Sequence, residues 1–341
     1  MLYVGVDHHK RFSYMKVVDE SGRVKKEGRV DNTRAALRGF FRSLGSEPRK
    51  AVLEAGFNWT VMFDRLEDEG CIVTLAHPLK VKAIADAKIK TDRIDAGVLA
   101  QLLRCDLIPE AHVSSPAGRE AKNILRYRAF LVRAQTMVKN RIHALLDRQA
   151  DLPAALRQSD LFGGKGMALL CALKLRAPDR KLLDEHLALL DELRAHIATS
   201  DGWIREQFKR SRDAQRLATI PGIGTFFAVL IANEIDGIER FSSDSKLHSY
   251  IGIVPSTYAS GDKVHHGRIT KTGNRWLRWA FIEAVWPAIR QDKQLRELYD
   301  RIAQGRDANV AKLTVARRLA TIAYRMLKED RDYQVRDEHR R

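Results

Sequence analysis

Three short alternating segments, joined by very little chain, open this sequence and restrict its fold more than any other feature. In "LYVGVD", Leu2, Val4 and Val6 alternate with smaller or polar residues, the period of a half-buried strand. "SYMKVVDE" and "VKKEGRV" follow after the tight connections "HHKR" and "ESG", so the spacing predicts a β-meander. The pattern then changes. "NTRAALRGFFRSLG" sets Ala36, Leu37, Phe40, Phe41 and Leu44 on one helical face and ends at Gly45. "KAVLEAG" and "CIVTLAH" read as buried strands, and "NWTVMFDRLEDEG" and "TDRIDAGVLAQLLRC" as amphipathic helices.

An antiparallel meander followed by strands alternating with helices is the element order of the ribonuclease-H-like fold, an α/β class. In that fold the ends of the first and fourth strands lie side by side. Asp7 ends the first, and this stretch alone allows either a solvated turn charge or one corner of a metal site. Glu54 is an acid inside the apolar strand "AVLEAG", which is costly unless paired or metal-bound. Asp92 and Asp95 stand three apart in "KTDRIDA", so a helix capped by Thr91 carries both in its first turn. Asp92 alone reads equally as a capping-region acid. Carboxylates converging on hard divalent cations are what a two-metal phosphodiester site requires, since Mg2+ prefers oxygen ligands.

Charge bears on the partner. Across 341 residues, Lys and Arg outnumber Asp and Glu 60 to 43, a formal charge of +17. That excess favours an anionic partner, with nucleic acid ahead of a membrane. No apolar run approaches the roughly 18 residues that span a bilayer, and no signal-peptide pattern opens the chain. Cys71, Cys105 and Cys171 are odd in number, far apart and set in apolar surroundings, which predicts reduced core thiols and a cytoplasmic, nucleoid-associated protein.

The middle of the chain is helical. Ile124, Leu131, Val138 and Leu145 recur every seventh residue, and Leu183, Leu190, Ile197 and Ile204 repeat that spacing. Two such heptad segments predict an antiparallel coiled-coil arm or a seam between copies of a homo-oligomer, a dimer or tetramer. "FGGKGMALL" lacks the spacing of a phosphate-binding P-loop. In "LATIPGIGTFFAVLIANEI", Gly222 and Gly224 sit in a tight turn between apolar helical segments. The turn reads as a helix–turn–helix bend or as a donor of backbone N–H groups to phosphate. "STYASGDKVHHGRITKTGNRWLRWAF" carries Lys263, Arg268, Lys271, Arg275 and Arg278 against the single acid Asp262, a segment suited to phosphate handling.

The order Asp, Glu, Asp, Asp with "TDRIDA", followed by "IPGIG" and "FSSDSKLHSYIGIVPSTYASGDKVHHGRITKTGNRWLR", resembles the DEDD transposases of bacterial insertion sequences, of the IS110/IS1111 type. The resemblance covers nearly the whole chain; only the helical middle lacks a diagnostic motif. It implies a resolvase-like catalytic domain over residues 1–115, a coiled-coil region over 116–205 and a mainly helical C-terminal transposase domain over 206–341. It implies Asp7, Glu54, Asp92 and Asp95 as ligands of Mg2+ or Mn2+, and Ser260 of the "SG" dipeptide as nucleophile, with Ser256 the competing serine. It further implies donor and target DNA as partners, selected through a structured bridge RNA. A junction-resolvase-like nuclease that only hydrolyses is the alternative, and a non-catalytic nucleic-acid-binding protein leaves Glu54 without a purpose. A sugar-kinase or actin-like ATPase needs a Gly-Thr-rich hairpin after the first strand, which "DHHKRFSY" does not supply.

Overall fold

The computed structural model describes residues 1–56, 58–85, 91–149, 156, 160–260 and 263–334, with the side chains of 257–260, 263–266 and 268 outside the description. The chain divides into two compact units, Met1–Val113 and Ser114–Arg341.

In the first unit, β1 (Leu2–His8), β2 (Phe12–Val18) and β3 (Val24–Asp31) form the meander. There follow α1 (Arg34–Arg42), β4 (Arg49–Glu54), α2 (Trp59–Asp68), β5 (Cys71–Ala76), α3 (Pro78–Ile84) and α4 (Asp92–Arg104). The sheet order is β3-β2-β1-β4-β5. β2 runs antiparallel to both β1 and β3, and β4 parallel to both β1 and β5. Short turns suffice for the antiparallel pairs, whereas each parallel pair needs a helical crossover, which α1 and α2 supply. Thr33 starts α1 by accepting from Ala36 N at 3.2 Å.

Because side chains alternate along a strand, the sheet sends two sets of residues to two layers. Leu2, Val4, Val6, Ala51, Leu53 and Leu75 pack against Leu37, Phe41, Met62 and Leu66 of α1 and α2. Val52 and Ala76 pack on the opposite face against Val81 of α3 and Leu99 and Leu103 of α4. Covering both faces explains why β4 and β5 read as near-continuous apolar runs.

The second unit comprises α5 (Pro116–Leu146), α6 (Gly164–Ala172), α7 (Ala177–Arg210), α8 (Arg212–Leu217), α9 (Thr225–Ile235) and α10 (Asp244–Ile251). The hairpin β6 (Pro255–Ser260) and β7 (Lys263–Ile269) follows, then α11 (Arg275–Gln291), α12 (Lys293–Gly305) and α13 (Ala308–Lys328). α5 and α7 pack antiparallel. Arg128 pairs with Asp201 at 2.9 Å and Gln149 bonds Asp179 at 3.3 Å, so partner numbers run in opposite directions. Val138, Leu145, Leu183 and Leu190 share one buried core between these helices. These four heptad residues therefore pack together within the chain. Val229, Ile231, Phe281, Val315 and Leu319 centre the larger core of the unit.

Among the described residues, no helix is long and apolar enough to cross a membrane. One sequence expectation fails. Cys71 is buried, and burial pushes its thiol up to about 11, but Cys105 and Cys171 are exposed. Cys105 caps the end of α4, beyond the last inward-facing residue, Leu103, and α6 turns Leu170 rather than Cys171 inward.

Candidate active site

The pairing of β1 with β4 runs through Val6 and Leu53, so Asp7 and Glu54 are the next residues on each strand. Both belong to the alternation set of Gly5 and Val52, which faces the α4 layer. α4 comes unusually close to the sheet at this point. A Cβ built on Gly5 would stand 1.9 Å from Ala96 O and 2.5 Å from Ala100 N, so only glycine lets the helix backbone lie there. Thr91 caps α4 by accepting from Ile94 N at 3.3 Å, which leaves Asp92 and Asp95 in the first turn. Their charges also complement the positive end of the helix dipole.

These local choices bring the acids together. Asp7, Glu54 and Asp95 line one cavity of about 330 Å³, walled by Leu79, Val81, Val98 and Leu99. Asp92 joins through His9, whose Nε2 lies 3.2 Å from Asp7 Oδ2 and 3.2 Å from Asp92 Oδ2. One donor atom from each of Asp7, His9 and Asp92 lies within 4.8 Å of the other two. Burial raises the Asp7 carboxyl above its ordinary range; His9 opposes the rise, and the Asp92 and Asp95 charges add to it. Carboxylates crowded in this way are disfavoured as anions by burial and by one another, and a divalent cation relieves both penalties. The donor set, carboxylates with one imidazole, fits such an ion.

His9 is the site residue that sequence reading missed. Its backbone is held at both ends: its main-chain N–H donates to Phe12 O at 3.0 Å, and its carbonyl accepts from Asn32 Nδ2 at 2.7 Å. Asn32 Oδ1 in turn accepts from the fully buried Ser13 hydroxyl at 2.7 Å. The only signal was its place two residues beyond Asp7, inside a basic turn.

The phosphate-handling residues expected in the second unit separate into two kinds. Gly222 has φ +87°, and a Cβ there would stand 2.5 Å from Ala284 O, so this glycine serves the packing of the turn against α11. Gly224 caps α9 with open space around it. Arg278 donates to Ile251 O at 2.7 Å, and burial holds its guanidinium below its ordinary pKa. Lys271, at φ 54°, and Arg275 are exposed. Ser260 ends β6, paired in register with Lys263 of β7, while the side chains of Ser260, Lys263 and Arg268 lie outside the described residues. Ser256 is described: its Oγ fills the space beside Gly267, 2.5 Å from where a Cβ would stand.

A second missed group holds the start of α11. Asn274 Oδ1 accepts from Trp276 N and Leu277 N, and its Nδ2 donates to Glu234 Oε2 at 2.8 Å. Glu234, buried in α9, pairs with Arg126 at 3.2 Å and lies 3.8 Å from Lys122. Its signal was an acid inside "FFAVLIANEI", the same kind of signal that marked Glu54.

A family model described as "Transposase", for DEDD enzymes of IS110 elements, matches residues 4–150. A second, the "Transposase IS116/IS110/IS902 family", matches residues 214–300. A "Probable family 20 transposase" of Pseudomonas aeruginosa is 27% identical over 97% of this chain and 98% of its own length. The "Transposase for insertion sequence element IS1111A" of Coxiella burnetii is 24% identical over 97% of this chain and 90% of its own. An "Insertion element IS110 uncharacterized 43.6 kDa protein" of Streptomyces coelicolor is 23% identical over 98% and 96%. With both motif blocks matched in order and relatives aligned end to end, the chain belongs to the IS110 family of DEDD transposases.

Proposed function

We propose that this transposase cuts and rejoins DNA strands, with Asp7, Glu54, Asp92 and Asp95 holding Mg2+ or Mn2+ and Ser260 acting as nucleophile. The observation that carries the reading is the convergence of Asp7, Glu54 and Asp95 on one cavity, with Asp92 tied to Asp7 through His9. The strand order β3-β2-β1-β4-β5 supports a ribonuclease-H-like character for residues 1–115. Divalent metal, when bound, supplies Lewis-acid stabilisation of charge on a phosphate oxygen.

The protein's own residues do the rest. The acids of β1, β4 and α4 orient the cation-binding side of the cavity. Ser260 Oγ forms a bond to phosphorus while the phosphorus–oxygen bond to the departing strand breaks; the serine proton leaves to solvent and the departing strand gains one. The phosphodiester energy is retained in the phosphoserine, so a second strand's hydroxyl can reverse the step. Ser260 is favoured over Ser256 by its place in the "SG" dipeptide, which the family resemblance singles out. Exposed Lys271 and Arg275, the open turn at Gly224, and Lys263 and Arg268 make the backbone contacts. A structured bridge RNA selects the donor and target duplexes by pairing, and a dimer or tetramer holds them.

The test is a strand-cleavage assay on DNA carrying the element's ends. Asp7→Ala, Glu54→Ala, Asp92→Ala and Asp95→Ala each abolish cleavage and leave a cooperative thermal transition in place. Cleavage stops in excess chelator and resumes with Mg2+ or Mn2+. Near-wild-type cleavage by the Asp7 and Glu54 variants, or full activity in chelator, removes the metal reading.

A further inference from the structure

His9 lies outside the acidic quartet, yet its ring nitrogen sits beside two members of it. Its Nε2 is 3.2 Å from Asp7 Oδ2 and 3.2 Å from Asp92 Oδ2, and it aligns for a hydrogen bond with neither. A ring that served only to neutralise the acids would turn its N–H toward one oxygen, because charge-assisted hydrogen bonds are strongest in line. Equidistance suits a different role. Adjacent ligands around an octahedral divalent ion with bonds of about 2.1 Å stand about 3.0 Å apart. The two spacings at Nε2 match that figure within about 0.2 Å.

The support beneath the ring points the same way. The His9 ring packs on Phe12 at 4.8 Å between centroids, and the Arg29 guanidinium lies over Phe12 at 3.8 Å. With its N–H held by Phe12 O and its carbonyl by Asn32, the backbone of His9 is fixed at both ends. The backbone bonds fix where the side chain leaves the turn, and Phe12 supports one face of the ring.

From this geometry we infer that His9 Nε2 is a ligand of the metal held by Asp7 and Asp92, which makes this corner of the site a mixed oxygen–nitrogen set. The inference rests on the metal reading of the acids proposed above. Imidazole suits Mn2+ and the later divalent ions better than Mg2+, so His9 biases the site toward Mn2+. Removing it lowers the preference for Mn2+ over Mg2+ by about tenfold, the scale on which such sites respond to changes in their ligands.

Mn2+ alone, added to the full-length protein without DNA, is the probe. Pulsed electron paramagnetic resonance of bound Mn2+ is expected to show nitrogen coupling from one imidazole, altered by 15N-histidine and lost in His9→Gln. Competition with Mg2+ in the same sample gives the tenfold fall in preference. Should His9→Gln fail to fold, His9→Ala is measured in its place. Bound Mn2+ without nitrogen coupling in the wild type, or coupling that persists in the variant, overturns the role of His9 and leaves the metal reading intact. If wild-type protein binds no Mn2+, and Asp7→Asn changes nothing, the metal reading fails and the inference fails with it.

Discussion

Replacing Gly5 with alanine inserts one methyl group between β1 and α4, and its effect on the acids can be worked from the contact distances. The new Cβ would begin 1.9 Å from Ala96 O, and real Cβ atoms essentially never come within 3.0 Å of such a neighbour. Opening that contact moves α4 away from β1 by at least about 1.1 Å. Asp95 is the residue before Ala96 and Asp92 lies one turn earlier, so both acids move with the helix while Asp7 stays with the strand. Overpacking of this kind costs about 1–3 kcal/mol of stability, and a displacement near 1 Å costs on the order of 100-fold in rate. The assay is strand cleavage well below the melting temperature, beside a thermal denaturation curve. Gly97→Ala is the control on the same helix: its Cβ would meet Lys16 Cδ at 3.2 Å, part of a flexible side chain that can move aside. Gly5→Ala is expected to be folded, with cleavage down about 100-fold, and Gly97→Ala to lose less than about tenfold. Wild-type rate and stability in Gly5→Ala would refute the close packing of α4 on β1.

Further outcomes follow from the same contacts. Because the Asp7 pKa is raised, its contribution to stability is present below the ordinary carboxylate value of 3.8 and is lost as pH rises through the folded value. Metal-free Asp7→Asn should therefore melt higher than wild type at pH 7, with the gap closing below that value; a lower melting temperature at pH 7 contradicts the crowding argument. Glu234→Ala leaves Lys122 buried without its carboxylate and Asn274 without its acceptor, a loss of about 3 kcal/mol in urea unfolding. A loss below about 1 kcal/mol shows that the network is slack. Nucleic-acid affinity should fall with salt at a log–log slope of about −0.9 per duplex phosphate contact. Charge reversal at Lys271 or Arg275 should flatten that slope while Arg278→Lys leaves it unchanged.

Much of the first unit was legible because each of its signals is local. Alternation in β1 to β3, an acid within an apolar strand at Glu54, and Thr91 ahead of two aspartates are all read from a few adjacent residues. What escaped depends on contacts distant in sequence. Gly5 looks like any small residue in a strand until α4, about ninety residues later, is seen lying on it. His9 reads as part of a basic turn until Asp92 arrives beside it. α3 is only seven residues long and too short to display a helical period. In the second unit, composition marks a basic, glycine-punctuated segment but cannot distinguish uses. Arg278 and Lys271 are both cations in one run, yet the first donates to the Ile251 carbonyl and the second faces outward. Gly222 and Gly224 are two residues apart, yet one packs against α11 and the other stands open.

The covalent step separates a strand-joining transposase from a nuclease that shares its acids, and one measurement reads it. Full-length protein is incubated with end-labelled DNA carrying the element's ends and Mg2+, denatured, and resolved on a gel; the protein-linked band is digested and sequenced by mass spectrometry. The account predicts a DNA-linked peptide modified at Ser260, absent in Ser260→Ala and retained in Ser256→Ala. Cleaved DNA with no protein-linked band, or rejoined product from Ser260→Ala, would contradict it.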